Sequence, residues 1–320
     1  MRRLLPLFPA VAALALAGCG DDGASDAAER VTLGLDFTPN AVHAPVYAAV
    51  REGLDADHGV DITIRPPGSA PDSLRLLASG RADVAILDIH DLGLARERGA
   101  DVVGVGALVQ RPLAAIIARG DIARPRDLEG KTVGVSGLPS DPAVLRAVVE
   151  DDGGDYGEIR QVTIGFAAVA SLIEGTVAAA PMFWNAEGVV LRERGVETSE
   201  FRVDDHGAPP YPEVVLVVTR ETLEQRREMV EGVVRALADG TEDVLEDPEA
   251  AVRDIVEAGG GDSALVRAQV EAVAPLQTPP LRLDRSALEE WADWDVRFGI
   301  LEERPDLDEA FELGLAGKEG

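Results

Sequence analysis

Three short stretches of the chain concentrate groups able to grip a small polar molecule. The first is Asp36-Phe37-Thr38-Pro39-Asn40, with His43 one helical turn beyond. Asp36 can accept hydrogen bonds from amino or ring N–H groups, and Phe37 can stack on a flat ring. Asn40 suits a helix N-cap as well as a ligand contact, and His43 suits a site residue as well as a structural hydrogen bond. The second stretch, Gly137-Leu138-Pro139-Ser140-Asp141-Pro142, opens a helix: Ser140 or Asp141 can cap it and Pro142 fits its first turn. The N–H groups of Gly137, Leu138 and Ser140, shaped by Pro139, are candidates for a polar ligand edge or a phosphate. The third is Phe183-Trp184-Asn185-Ala186-Glu187, in which Trp184 offers a broad stacking face, Asn185 a donor and an acceptor, and Glu187 a second carboxylate. Carboxylates, amides and rings without arginine suit a neutral or cationic nitrogen heterocycle. A sulfonate or nitrate would want cations or dense N–H donors. Arg111 and Arg119, beside the apolar segment Leu108–Ala118, keep an anion site open.

Other chemistries lack their residues. Gly134-Val135-Ser136-Gly137 fails as a nucleophile elbow, and no phosphate-binding Gly-Lys-Ser/Thr loop is present. Gly104-Val105-Gly106 is half a dinucleotide fingerprint. His43, His58, His90 and His206 show no metal-ligand spacing, and a single cysteine excludes a cysteine-built zinc site. A formal net charge of −28 would repel phosphate backbones, which argues against nucleic acid as a partner. No cofactor is expected.

The elements that must position these stretches alternate. Apolar runs at Val31–Leu35, Asp61–Arg65, Asp83–Leu87, Val102–Leu108, Ala114–Ala118, Thr132–Val135, Arg160–Ile164, Val177–Met182 and Glu213–Thr219 read as strands, with helical stretches between most of them. Such alternation predicts an α/β protein of mainly parallel sheets covered by helices. Beyond Thr219 the pattern is helical: Leu223–Leu245, Pro248–Glu257, Ala264–Val273 and Ser286–Phe298. Ser79-Gly80-Arg81-Ala82-Asp83-Val84-Ala85 and Glu174-Gly175-Thr176-Val177-Ala178-Ala179 each close a helix and open a strand, which suggests two similar lobes. In either open sheet, ligands are expected at the carboxyl ends of the strands.

The start of the chain reads as a targeting signal. Arg2 and Arg3 precede an apolar run, Leu4–Ala17, that is too short and too proline-broken to span a bilayer. Leu16-Ala17-Gly18-Cys19 resembles a bacterial lipobox, with Cys19 the lipidated first residue after removal of residues 1–18. Residues 19–29 then form a flexible tether. The expected location is the cell envelope, extracytoplasmic and anchored to the membrane by lipid.

The segment LDFTPNAVHAPVYAAVREGL, Leu35 to Leu54, resembles the opening of a periplasmic solute-binding family. That family includes thiamine-pyrimidine-binding proteins of ABC importers, aliphatic-sulfonate binders and the fungal thiamine pyrimidine synthases. SGRADVAI, the stretch Ala123–Leu145, IEGTVAAAPMFWNAEGVVLRERG and VDDHGAPPYPEVVLVV extend the likeness along most of the chain in the right order. The resemblance implies a two-lobed periplasmic-binding-protein fold, type II-like, with a helical C-terminal region. Lobe 1 would take 30–115 and 214–320, and lobe 2 would take 116–213. Two crossing segments would join the lobes, with Tyr211 beside the second and within reach of a ligand. It further implies a monomer that binds a small molecule by hinge closure and hands it to an ABC permease. An aminopyrimidine precursor of thiamine is the expected ligand, with riboflavin, sulfonate or nitrate as alternatives.

The synthases of this family use a lysine for pyridoxal phosphate, a histidine consumed in the reaction, and a cysteine-rich iron site. By the best ungapped match Leu87 stands at the lysine position, Asp91 at the histidine position beside His90, and Ala208–Pro212 at the cysteine cluster. Leu87 cannot form a Schiff base. The expectation is therefore binding, not catalysis. The family's aspartate after the second-lobe glycine turn is Ala178 here, which puts a turn hydrogen bond in doubt.

Overall fold

The computed structural model describes residues 28–68, 72–138 and 140–316. Cys19 and the leader before it lie outside the described residues, as does Pro139. The chain first lays down β1 (Glu29–Gly34), β2 (Val60–Arg65), β3 (Val84–Asp88) and β4 (Val102–Val109). It then crosses to β5 (Ala114–Arg119), β6 (Thr132–Val135), β7 (Arg160–Thr163), β8 (Ala179–Phe183) and β9 (Thr198–Arg202), and returns as β10 (Val214–Thr219). Two five-stranded sheets result, in the orders β2-β1-β3-β10-β4 and β7-β6-β8-β5-β9.

Both sheets are mixed, where alternation alone predicted mainly parallel ones. In the first, β1 runs parallel to β2 and β3, while β10 is antiparallel to β3 and β4. In the second, β6 is parallel to β7 and β8, while β5 is antiparallel to β8 and β9. The reversed strands are the two that arrive from the other sheet. They enter from the cleft side, so their direction is set by the crossing and not by a helical return.

Packing follows the period of two that a strand imposes. Val214, Leu216 and Val218 join one core with Val31, Leu33 and Ile86, whereas Val215 and Val217 join another with Ala85, Leu288 and Trp291. All eight residues of β4 are buried, as expected of a strand covered on both faces. Each such aliphatic side chain is worth about 1.5–3 kcal/mol when fully buried. The helical tail covers the first face: α1 (Ala44–Glu52) lies against the long Arg227–Glu246 helix. That contact is close because Gly240 has no side chain; a Cβ there would collide with the Pro45 carbonyl.

The two glycine turns match at the backbone level. Gly80 and Gly175 have φ of 66° and 71°, the left-handed conformation a helix C-terminus favours. The N–H of Asp83 donates to the Thr32 carbonyl at 2.9 Å, and that of Ala178 to the Thr132 carbonyl at 2.8 Å.

Candidate binding cleft

A cleft of about 1080 Å³, its open mouth included, lies between the carboxyl ends of the two sheets. The first sheet's side supplies Asp36, Phe37 and Asn40 after β1, and Leu87, Asp88 and Asp91 at the end of β3. The second supplies Ser136, Leu138, Ser140 and Asp141 after β6, Phe166 after β7, and Pro181, Met182, Phe183 and Glu187 at the end of β8. The lobes touch across it. Phe37 and Phe166 meet edge to face at 4.4 Å, and the Ser140 N–H donates to Asp91 Oδ1 at 3.2 Å. The Gln269 amide also donates to the carbonyl of Ala186, another lining residue, at 3.1 Å.

His43 sits behind Asp36, fully buried. Its Nδ1 accepts the Asn40 N–H at 3.2 Å, so the ring proton is on Nε2, which donates to Asp36 Oδ1 at 2.7 Å. Asn40 Oδ1 in turn accepts the Val42 N–H at 2.9 Å. The Asn40–His43 pair thus aims the Asp36 carboxylate into the cleft, Asn40 reaching the lining and His43 not.

The loop after β6 departs from the sequence expectation. The Asp141 carboxylate turns back to accept from the Ser136 N–H (2.7 Å), the Ser136 hydroxyl (2.7 Å) and the Gly137 N–H (3.0 Å). Gly137 does not line the cleft, and its N–H is already taken by this internal anion. With the Ser140 N–H engaged by Asp91, a phosphate would find carboxylates where it needs donors. No side chain caps the following helix, Asp141–Asp151.

Trp184, Asn185 and Tyr211 lie outside the lining, contrary to their expected place on the cleft wall. The Trp184 N–H continues pairing with the crossing segment at the Leu113 carbonyl (3.0 Å). Its indole N–H reaches the Pro112 carbonyl (3.2 Å), and the Arg202 guanidinium covers the ring at 4.0 Å. Asn185 is fully buried, and neither polar atom of its side chain has a hydrogen-bond partner among the described residues. Tyr211 is fully buried with its hydroxyl 3.0 Å from His90 Nε2. Phe37, Phe166 and Phe183 supply the flat rings instead. Asp36, Phe37, Asn40, Leu138, Ser140 and Glu187 are the expected site residues that the cleft brings together.

Behind the first lobe's wall lies a buried polar network. His90 Nδ1 contacts Asp295 at 2.9 Å, and Asp295 holds the imidazole charged: its pKa is raised to about 10 against a burial effect that works to lower it. Burial pushes Asp88 well above the usual carboxylate range and raises Glu213 as well, and the two carboxyls face each other. Glu213 Oε2 also accepts the N–H groups of Leu113 (2.7 Å) and Ala114 (3.1 Å), so one residue before β10 grips the start of β5. The ligating atoms of Asp88, His90 and Glu213 lie within 4.8 Å of one another. Both His90 nitrogens are engaged, however, leaving no imidazole lone pair for a metal. Across the cleft, Glu187 accepts the Phe183 N–H at 3.2 Å; burial, with Asp36 opposite, raises its pKa to about 7.

Residues 40–251 match the family described as NMT1/THI5 like. The chain belongs to the NMT1/THI5-like family. It is 36% identical over 247 residues to a formylaminopyrimidine-binding protein of Halalkalibacterium halodurans, covering 76% of this chain and 75% of that one. It is 25% identical over 247 residues to a 4-amino-5-hydroxymethyl-2-methylpyrimidine phosphate synthase of Saccharomyces cerevisiae, covering 72% and 71%. A Candida albicans protein described as having the generic periplasmic binding protein fold superposes with a TM-score of 0.72 at 15% identity, over 91% of this chain and 98% of that one. The two-lobed periplasmic-binding-protein fold is thus confirmed.

Within this NMT1/THI5-like chain, Leu87 and Asp91 both reach the cleft, at the positions the resemblance gives to a synthase's lysine and histidine. Asp88, Asp91, Asp141 and Phe166 were missed as site residues. The signal for the first two was an Asp-x-x-Asp spacing across a strand-to-helix junction, where both carboxylates fall in or beside the first helical turn.

Proposed function

We propose that this chain is the solute-binding component of an ABC importer and captures an aminopyrimidine between its lobes without altering it. The observation that carries this reading is the lining: Asp36 and Glu187 face each other across the cleft, phenylalanine rings flank them, and among the described residues no Arg, Lys or His lines it. The exocyclic amino group of a pyrimidine can donate to the Asp36 carboxylate, its ring nitrogens can accept from Glu187 when that carboxyl is protonated, and its faces complement the rings. The formylaminopyrimidine-binding relative supports the same chemistry. Contacts from both lobes would favour the closed state only when a ligand spans them, which is capture by population shift. Lipid anchoring at Cys19 and delivery to a permease belong to this proposal.

The anion and synthase readings are disfavoured by particular residues. Arg111 and Arg119 are exposed and outside the lining, Arg119 pairing with Asp121 at 3.2 Å. The loop N–H groups that would hold a cofactor phosphate are occupied by Asp141, and Leu87 offers no amine. Pyridoxal phosphate does not fit this site.

Thermal-shift screening against aminopyrimidines, riboflavin, sulfonates and nitrate tests the proposal. An aminopyrimidine at 100 times its Kd adds about 2.7 kcal/mol of stability. Phe37→Ala and Glu187→Ala abolish the response, whereas Trp184→Ala retains it. A response that survives both of the first two substitutions would overturn the pocket assignment.

A further inference from the structure

We propose that Phe37 and Phe166 form an aromatic clasp that shuts over a bound ligand, and that Phe166 sets how long the ligand is held. The clasp rests on the capture reading above and adds to it a retention residue in the second lobe.

The geometry excludes the more obvious use of two facing rings. The Phe37 and Phe166 centroids lie 4.4 Å apart with their planes at 69°. A flat ring inserted between two others needs a stacking separation of about 3.5 Å on each side, so the outer rings must stand about 7 Å apart and nearly parallel. This pair touches itself and leaves no slot, so a ligand ring lies beneath it. Depth in the cleft agrees. Phe37 and Phe166 are half-buried, whereas Leu87, Ala114 and Met182 of the same lining are 5%, 8% and 4% exposed. The rings therefore sit at the rim and the aliphatic side chains at the floor. Among the described residues Phe183 meets no other ring, which makes it the lining phenylalanine left to stack on a ligand.

Each ring is fixed to its own lobe. Phe166 follows Gly165, whose φ of 56° folds the turn after β7. The Ile164 N–H donates to the Val135 carbonyl at 2.8 Å, and the Ala167 N–H to the Ile164 carbonyl at 3.2 Å, which ties that turn to β6. Phe37 follows Asp36, held by His43, and precedes Thr38, whose carbonyl accepts the Asn40 side-chain amide at 3.0 Å. With both turns anchored, the rings part when the lobes part. Ligand release requires that parting, so it must break the ring contact first. An edge-to-face pair is stabilised beyond the area it buries, and changes at an interface fall mainly on dissociation. Phe166 thus acts on release far more than on capture.

The test is the kinetics of a 4-aminopyrimidine carrying an N-formylaminomethyl arm, followed on the purified chain by surface plasmon resonance. Phe166→Ala is expected to speed release at least about tenfold and to leave association within about threefold. Phe166→Leu keeps an apolar contact to Phe37 without a stacking face, and is expected to release within about threefold of the unsubstituted protein. An unchanged release rate in Phe166→Ala, or Phe166→Leu releasing as fast as Phe166→Ala, overturns the clasp. If no aminopyrimidine binds, the aminopyrimidine reading fails, and the clasp is decided on the ligand-free chain. Spin labels at Val50→Cys and Ile173→Cys, exposed sites on the two lobes, then report the distance between lobes in a Cys19→Ser background. Loss of at least about half of the shortest-distance population on Phe166→Ala supports the clasp, and identical distributions overturn it.

Discussion

The two lobes open their strands with the same backbone turn and build different walls from it. After Gly80, Asp83 donates its N–H to Thr32 and also accepts the Thr32 N–H through Oδ2 at 2.8 Å. After Gly175, Ala178 makes the first bond to Thr132, and its methyl group cannot accept the second. The same asymmetry runs to the cleft. The first lobe presents Asp36, Asp88 and Asp91, backed by His43, His90, Glu213 and Asp295, a second layer that holds their geometry. The second presents mostly apolar surface, with Asp141 spent on its own loop and Glu187 as the carboxyl facing Asp36. One scaffold thus builds two unlike walls: the first lobe contributes three of the cleft's five carboxyls, and the second most of its apolar lining.

The sharpest way to break this comparison is to remove the histidine behind each lobe. His90 is fully buried against a fully buried Asp295, and losing one partner of such a pair strands the other. His90→Ala should cost about 3–5 kcal/mol in urea unfolding. His206 in the second lobe contacts the exposed Asp151 at 3.1 Å, so His206→Ala should cost less than about 1 kcal/mol. Because the His90 pKa rises from 6.5 to about 10 on folding, its contribution is fully present below pH 6.5 and is lost as pH rises through about 10. Similar costs for the two substitutions would contradict the division.

Glu187 gives a smaller effect with a defined window. Its pKa rises from 4.5 to about 7, so the folded chain keeps a proton that the unfolded chain releases. The sign is opposite to that of a salt-bridged carboxylate: stability is present below pH 4.5 and declines as pH rises to about 7. For a half-buried group this amounts to a change of order 1–3 kcal/mol across the window. Glu187→Gln should flatten the stability–pH curve there by about one proton. Parallel curves for the two proteins would show that Glu187 titrates normally.

Much of the framework was legible because punctuation and apolar runs are local. The run Thr132–Val135 is a strand with the expected bounds, and Gly80 and Gly175 end helices as their flanking residues predict. β9 was missed because Thr198-Ser199-Glu200-Phe201-Arg202 is a polar edge strand whose partner is distant in sequence. The expected helix Leu223–Leu245 is two helices, Arg220–Gln225 and Arg227–Glu246, broken at Arg226 (φ −132°, ψ 41°). The cause is tertiary: Arg226 pairs with Glu29 (2.6 Å) and with Asp83, and no glycine or proline announces the break. The cleft was half legible. Asp36, Phe37 and Glu187 follow strands and could be placed by topology. Asp88 and Asp91 look like ordinary helix-start acids in sequence, and only the packing of Ser140 and Glu213 over them turns them inward.

The glycine turns allow the comparison to be tested in both directions. Asp83→Ala removes the acceptor for the Thr32 N–H and a partner of Arg226, and should cost about 1–2 kcal/mol because a hydrogen bond to a charged group is lost. Ala178→Asp makes the reciprocal change in the second lobe. Its backbone N–H already meets Thr132 at 2.8 Å, so the new carboxylate stands where Asp83 stands relative to Thr32. The gain should be about 0.5–1.5 kcal/mol, the net worth of one added hydrogen bond. The double variant Asp83→Ala, Ala178→Asp should then recover most of the loss, since the turns lie in separate sheets and distant substitutions add. If Ala178→Asp destabilises instead, the second turn differs from the first in more than one missing carboxylate.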